Sequence, residues 1–271
     1  MCYTLPTFTY YSTFNPRRKD TAFVSLCIIA VFLCSVCFII LPSPYVTEKP
    51  GPSTDVLSEA NGKPIIDYQQ DSEDSNKYGG SILLLSVAVY GGPLSYSTSL
   101  SKLPDLVSDS ADLKPQEMIY KPRNNDSATV EEAKKESDAQ MKQSQNSAVV
   151  AAAELLKARG IDLPGDSVKI MIEDLGGPSA GLAFTLGILQ KAGNLNLTNG
   201  RVVAATGTVD DAGNVGKIGG LKEKAQAAVQ SGVDILLVPE GNYPEVSAQD
   251  QAVLKVVPVK TVDDAVNALL N

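Results

Sequence analysis

Histidine is absent from all 271 residues, and so is tryptophan. Without an imidazole there is no Ser-His-Asp or Cys-His catalysis, no histidine-ligated metal and no histidine pH switch. An enzyme built from this chain must take its acid or base from a carboxylate, Lys, Tyr or Cys. Cysteine is nearly as scarce: Cys2, Cys27, Cys34 and Cys37 make up the whole complement. Everything after residue 37 therefore folds without a disulfide framework or a cysteine metal cluster. Basic residues are outnumbered, 23 Lys and Arg against 31 Asp and Glu, for a net charge of −8 and no basic stripe. That balance argues against a nucleic-acid partner. No G-x-x-x-x-G-K-[ST] phosphate loop occurs either. Gly213-Asn214-Val215-Gly216-Lys217 has the wrong spacing and lacks the hydroxyl, so the reading includes no ATPase module in this chain. What remains, 44% hydrophobic and 20% charged residues, suits a folded protein.

Residues 21–41 run without a charge. At about 1.5 Å per helical residue they span roughly 30 Å, the hydrocarbon thickness of a bilayer. Arg17, Arg18 and Lys19 precede the run and the next basic residue is Lys49. The positive-inside rule then keeps residues 1–20 in the cytoplasm and sends the remainder, with a net charge of −10, outside. A cleaved signal peptide has a shorter apolar core, about 7–15 residues, and an A-x-A-like site. This run is longer and ends at Pro42-Ser43-Pro44, so the expectation is an uncleaved single-pass anchor in the cell membrane. Its cysteines read as apolar filler.

Residues 42–62, rich in Pro, Gly and Ser, read as a linker. Strands are expected at Pro64–Tyr68 and Ser81–Tyr90, followed by a polar, proline-marked loop through Pro104, Pro115 and Pro122. A helix is expected over Thr129–Arg159, with Thr129 and Glu132 as a capping box and Gly160 as its stop. Its first half is polar and its second half apolar, which predicts a start in solvent and an end against a core. From residue 166 onward strands alternate with helices: strands at 167–173, 201–206, 234–238 and 253–259, a hairpin at 209–215, and helices at 179–191, 221–230 and 263–270. The predicted class is α/β (α+β), a mixed sheet with packed helices preceded by one transmembrane helix. Residues 63–165 form the front of the exported part and residues 166–271 its last domain.

Gly176-Gly177-Pro178-Ser179-Ala180-Gly181 lies between a buried strand and an apolar helix, which places Ser179 in that helix's first turn. Free N–H groups there, aided by the helix dipole, suit a developing oxyanion, with Ser179 as nucleophile. The same segment reads equally as a structural turn or an anion site. Without histidine, the economical base for a serine is lysine. On the helix beginning at Leu221, residues 221, 224, 225 and 228 share one face, whereas Lys222 falls on the polar side with Gln226 and Gln230. Lys224 is therefore the lysine placed for desolvation, which lowers an amine pKa, although a snorkelling side chain gives the same pattern. Thr206, closing the strand between the two segments, is placed to orient such an amine, or else simply ends a strand. Ser99 and Lys102 form a second Ser/Lys spacing, but in a serine-rich stretch with no S-D-N or K-T-G partner. The carboxylate pairs Glu173-Asp174 and Asp210-Asp211 read as helix-entry and hairpin-turn residues.

GGPSAG at 176–181, ATG at 205–207 and GNVGKIGGLKEKAQAA at 213–228, with VDILLVPEGN at 233–242, resemble the proteolytic domain of the Lon protease family. That resemblance implies a membrane-anchored serine endopeptidase working through an acyl-enzyme. It makes Ser179 the nucleophile, Lys224 the general base and Thr206 the residue that positions the lysine, with Gly177 and Ala180 at the oxyanion site. It implies no metal and no cofactor, a peptide or protein substrate, and a homo-oligomer, a hexameric ring. The front of the chain, with YVTEKPGPS at 45–53, GKPII at 62–66 and SILLLSVAVYGGP at 81–93, resembles the bacterial membrane-anchored Lon-like proteases that contain a PDZ domain. Two departures stand out. Only residues 160–166 separate the long helix from the nucleophile strand, so the PDZ domain is missing. Many Lon domains carry Asp three residues before the serine, where this chain has Gly176. A catalytically inactive, membrane-bound scaffold that binds peptides is the alternative reading.

Overall fold

A computed structural model describes residues 16–40, 45–68, 78–91, 111–115, 118, 130–164, 166–172 and 175–271. The apolar run forms α1 (Pro16–Ile40), whose side chains from Phe23 to Ile40 are almost all exposed. It is long and apolar enough to cross a bilayer, and Cys27, Cys34 and Cys37 on it are free thiols.

The segment expected as linker begins with a strand. β1 (Tyr45–Asp55) lies inside the main sheet, with Val46, Thr47 and Glu48 buried. Its Pro50-Gly51-Pro52 composition reads as a spacer, but the ladder to β5 (Ser81–Gly91) accommodates it by a bulge between Pro50 and Ser53. A bulge is where a strand tolerates residues that cannot donate to the ladder. Short strands β2 (Glu59–Ala60), β3 (Lys63–Pro64) and β4 (Ile66–Tyr68) follow β1. Asp112–Pro115, within the stretch expected as loop, forms the edge strand β6 against β1.

Six strands make the main sheet, in the order β12-β11-β8-β5-β1-β6, counting β8 (Val202–Ala205), β11 (Ile235–Pro239) and β12 (Lys255–Val259). β5, β8, β11 and β12 run parallel to one another, while β1 pairs antiparallel with both β5 and β6. Strand side chains alternate between faces, and the core divides accordingly. Ile82, Leu84, Val203, Ala205, Ile235 and Leu237 point to one layer, Leu83, Leu85, Ala204, Leu236 and Val238 to the other.

The first layer holds α2 (Val130–Ala158), α3 (Gly181–Ala192) and α6 (Val262–Leu270). α3 is buried from Gly181 through Gln190, because it is apolar on every side and packed between sheet and α2. The capping box expected at Thr129 lies outside the described residues, whereas Thr261 and Asp264 form one at the start of α6. The second layer holds α4 (Leu221–Gln230) and α5 (Ala248–Val253). α5 and the 3-10 turn at Glu240–Glu245 were not expected from the sequence, being short and without apolar periodicity. Three smaller pairings are present among the described residues: β2 with β3, β9 (Thr208–Val209) with β10 (Val215–Gly216), and β4 with β7 (Val168–Ile170).

Residue 166 does not divide two cores. β5 from the front pairs in parallel with β8 from the last domain, and Leu156 of α2 sits in the same cluster as Phe184 of α3. The polar half of α2 is not simply solvated either. Ser137, Met141, Ser144 and Ala148 form an inward stripe at spacings of four, three and four, which one helix face requires.

Candidate active site

Three chain segments converge at the end of β8. Strand β8 stops at Ala205, and the next N–H, that of Thr206, donates to the Leu237 carbonyl of β11 at 3.1 Å. Gly207 then donates to the Ser179 carbonyl at 2.9 Å, and Leu182 to the Gly207 carbonyl at 3.1 Å. These bonds staple the segment before α3 onto the strand end. α3 begins at Gly181 with Ala180 as its N-cap, so Ser179 precedes the helix instead of lying in its first turn. The reason is local: the segment from Leu175 to Ala180 is held from outside by α2 and β8 before helical bonding starts.

α2 supplies that hold. The Gly177 N–H donates to the Ser137 carbonyl at 2.9 Å, and Ser144 Oγ donates to the Pro178 carbonyl at 3.0 Å. A Cβ at Gly176 would come within 2.1 Å of Ser137 Oγ, so this serine fills the space beside residue 176. The bond from Gly177 also corrects an expectation. Its N–H, assigned to the oxyanion site, is already used by α2. Ala180 lines the same cavity as Ser179.

Lys224 reaches the site from α4, whose N-cap Gly220 adopts φ +67 and would meet Val87 of β5 if it carried a Cβ. Only glycine takes that conformation without strain, and the close approach sets α4 tightly against β5. The Lys224 side chain is 4% exposed, and its Nζ lies 2.7 Å from Ser179 Oγ and 3.2 Å from Thr206 Oγ1. Thr206, fully buried, donates its hydroxyl to the Ser179 carbonyl at 3.3 Å, which leaves its lone pairs facing the amine. Burial brings the Lys224 pKa down from 10.5 to about 8, against the opposing charge of Glu223. An amine at that value is about one-tenth neutral at pH 7, far more than an ordinary lysine.

Lys222, two residues earlier on α4, points elsewhere: its Nζ is 2.8 Å from Asp112 Oδ1 of β6. Asp210 and Asp211 serve the β9–β10 turn. Asp210 accepts the N–H groups of Ala212 and Asn214, and Asp211 accepts Ser147 Oγ at 2.7 Å. Glu173, Asp174, Ser99 and Lys102 lie outside the described residues. Ser137 and Ser144 were missed in the sequence because α2's first half was read by its polarity. Their spacing with Met141 and Ala148 was the available signal.

Ser179 and Lys224 open into a cavity of about 450 Å³. Its other walls include Glu48, residues 84–89 of β5, Met141, Leu175 and Gly176. β8 pairs with β5 only from Ser81 to Leu84, so beyond Leu84 the side of β5 facing away from β1 has no strand against it among the described residues.

Residues 168–271 match the family of the Lon protease (S16) C-terminal proteolytic domain. The Lon protease of Neorickettsia sennetsu is 37% identical over 97 residues, 35% of this chain and 12% of the relative. That of Elusimicrobium minutum is 35% identical over 136 residues, 46% of this chain and 16% of the relative. The similarity to the Lon protease of Metamycoplasma arthritidis extends further forward, 27% identity over 204 residues, 73% of this chain and 22% of the relative. The chain thus spans less than a quarter of the length of these curated relatives. The strand, nucleophile-loop and α4 elements described above all lie within the Lon-type segment, while α2 and β5 come from outside it.

Proposed function

We propose that this chain is a serine endopeptidase, anchored in the cell membrane by α1, that cleaves peptide bonds through a Ser179–Lys224 dyad. The observation that carries the reading is the 2.7 Å approach of a desolvated Lys224 amine to Ser179 Oγ. The neutral amine takes the Ser179 proton as Oγ attacks the scissile carbonyl, and the resulting ammonium returns it to the leaving amine. A tetrahedral intermediate gives an acyl-enzyme, which water then hydrolyses. Thr206 holds the amine on the Ser179 side by offering its oxygen as acceptor.

The side of β5 beyond Leu84 that has no strand against it among the described residues suits a polypeptide substrate. An extended chain added there gains main-chain hydrogen bonds without dependence on its sequence, and places a carbonyl in the cavity of Ser179. Arg17, Arg18 and Lys19, in the first turn of α1, favour an extracytoplasmic proteolytic domain. The resemblance to Lon further supports assembly of several copies into a ring.

A fluorophosphonate or peptide-boronate probe tests the reading. The wild-type chain is expected to be labelled and Ser179→Ala to be silent. A folded wild-type protein that takes up neither probe returns the scaffold alternative. Among the lysines, Lys224→Ala is expected to slow labelling by about 10²–10⁴-fold, the usual contribution of a general base, with Lys222→Ala close to wild type.

A further inference from the structure

Among the residues lining the Ser179 cavity is a carboxylate that the dyad does not use, Glu48 of β1. Paired strand residues share a face, and Glu48 pairs with Val89 of β5. That face is the one α4 covers, since its N-cap Gly220 lies against Val87, two residues earlier on the same side of β5. Glu48 is 5% exposed and is held by Lys114 of the edge strand β6. The same ammonium stands 3.6 Å from Oε1 of Glu223 on α4, which is 2% exposed. Neither oxygen of Glu223 accepts a hydrogen bond, and Lys114 is the one cation paired with it among the described residues. Lys222 brings no help, being turned to Asp112. One ammonium therefore serves two buried carboxylates, and burial holds the Glu223 carboxyl above its usual range. Buried acids so thinly compensated are costly, and a second cation beside Glu48 would remove the shortfall.

We propose that Glu48 is a specificity residue, and that the cavity selects a polypeptide with lysine or arginine at the position lying beside Val89. The inference rests on the Ser179–Lys224 reading and on a substrate strand along β5 beyond Leu84. Such a strand lies two strand spacings from β1, about 10 Å, with β5 between them. Its side chains alternate between faces, so every second one points to the side of Val87 and Val89. Over Val87 the way to β1 is closed by the start of α4. Over Val89, which is 37% exposed, it is open. A short or branched side chain stops above β5. Lys and Arg have an apolar stem to lay across Val89 and a cationic tip to reach Glu48. When the tip arrives, Glu48 gains a new partner. Lys114, partly exposed on its edge strand, is then released to close the 3.6 Å gap to Glu223. Two buried carboxylates end with two cations. An acidic side chain at the same position would add a third anion to the set and is disfavoured.

The test is cleavage of a peptide series by the full chain in detergent micelles, followed by mass spectrometry. A neutral peptide of Ala, Leu, Ser and Gly is made in copies that carry Lys, Met or Glu at each position in turn. At one position the Lys copy is expected to have a kcat/KM about tenfold above that of the Met copy, with the Glu copy below both. In Glu48→Gln the ratio of the Lys to the Met copy should fall to about one. Because the ratio is taken on one protein, a general loss of activity does not move it. Equal rates for Lys and Met at every position of the wild type, a result that requires no variant to fold, overturn the inference. So does a preference for Lys that persists in Glu48→Gln. A wild-type chain labelled by fluorophosphonate but indifferent to Lys loses only the role of Glu48. One that is neither labelled nor able to cleave any copy takes the dyad reading with it.

Discussion

Residues 45–164 and residues 168–271 are built on different hydrogen-bonding plans. The later stretch is wound as parallel strands, β8, β11 and β12, interleaved with α4, α5 and α6. The earlier one is an antiparallel set, β6 on β1 on β5, followed by a single long helix. They meet along β5 and β8, and through α2 lying on α3. Only the later stretch matches the Lon proteolytic-domain family, but neither stretch encloses its own apolar surface. α3 in particular is apolar all round, and most of what covers it comes from α2, β4 and β5. The family segment and the folding unit are different lengths of chain.

Separating the two stretches should have the largest effect. A fragment of residues 166–271 alone is expected to show no cooperative thermal transition by circular dichroism and no probe labelling. A cooperative transition in the isolated fragment would mean that the front half is an accessory after all.

A smaller effect distinguishes the buried amine from the rest of the shared core. Lys224 ionises at about 8 in the fold and at 10.5 as a free side chain. Below pH 8 both states are protonated and the folded state carries the full penalty of a buried ammonium. Between pH 8 and 10.5 the unfolded chain holds more protons, so stability rises with pH through that window. Lys224→Met should abolish labelling yet raise stability below pH 8 by about 2–3 kcal/mol, and its melting temperature should lose the alkaline rise. Equal slopes in both proteins would place the amine in solvent.

The smallest change tests the seam itself. Ser144→Ala removes one hydrogen bond from the front half to the nucleophile loop, at a cost of about 1 kcal/mol. The loss is expected in the rate of labelling more than in apparent probe affinity, with partial recovery in Ser144→Thr. A variant indistinguishable from wild type in rate would show that β8 alone holds the loop.

Much of this was readable in the residues. The absence of histidine left lysine as the economical base, and helical spacing separated Lys224 from Lys222 before any coordinates. α4 was bounded correctly because Gly220 and Gly232 flank a clean amphipathic run. The failures have a common cause, which is long-range pairing. β1 reads as a spacer until β5 and β6 lie beside it, since its proline content only makes sense at a bulge. Ser179 reads as helical until α2 is seen to seize the Gly177 N–H and the Pro178 carbonyl.

α2 itself has one more consequence. Its 29 residues contain no glycine or proline and extend roughly 43 Å. The inner end is fixed in the core at Leu156, and the nucleophile loop is tied on at Ser137 and Ser144, along the outer half. Mechanically this is a lever with its fulcrum in the core. A load on the outer turns, whose residues 131–136 face solvent except for Ala133, would be delivered to the loop that carries Ser179 without passing through the sheet.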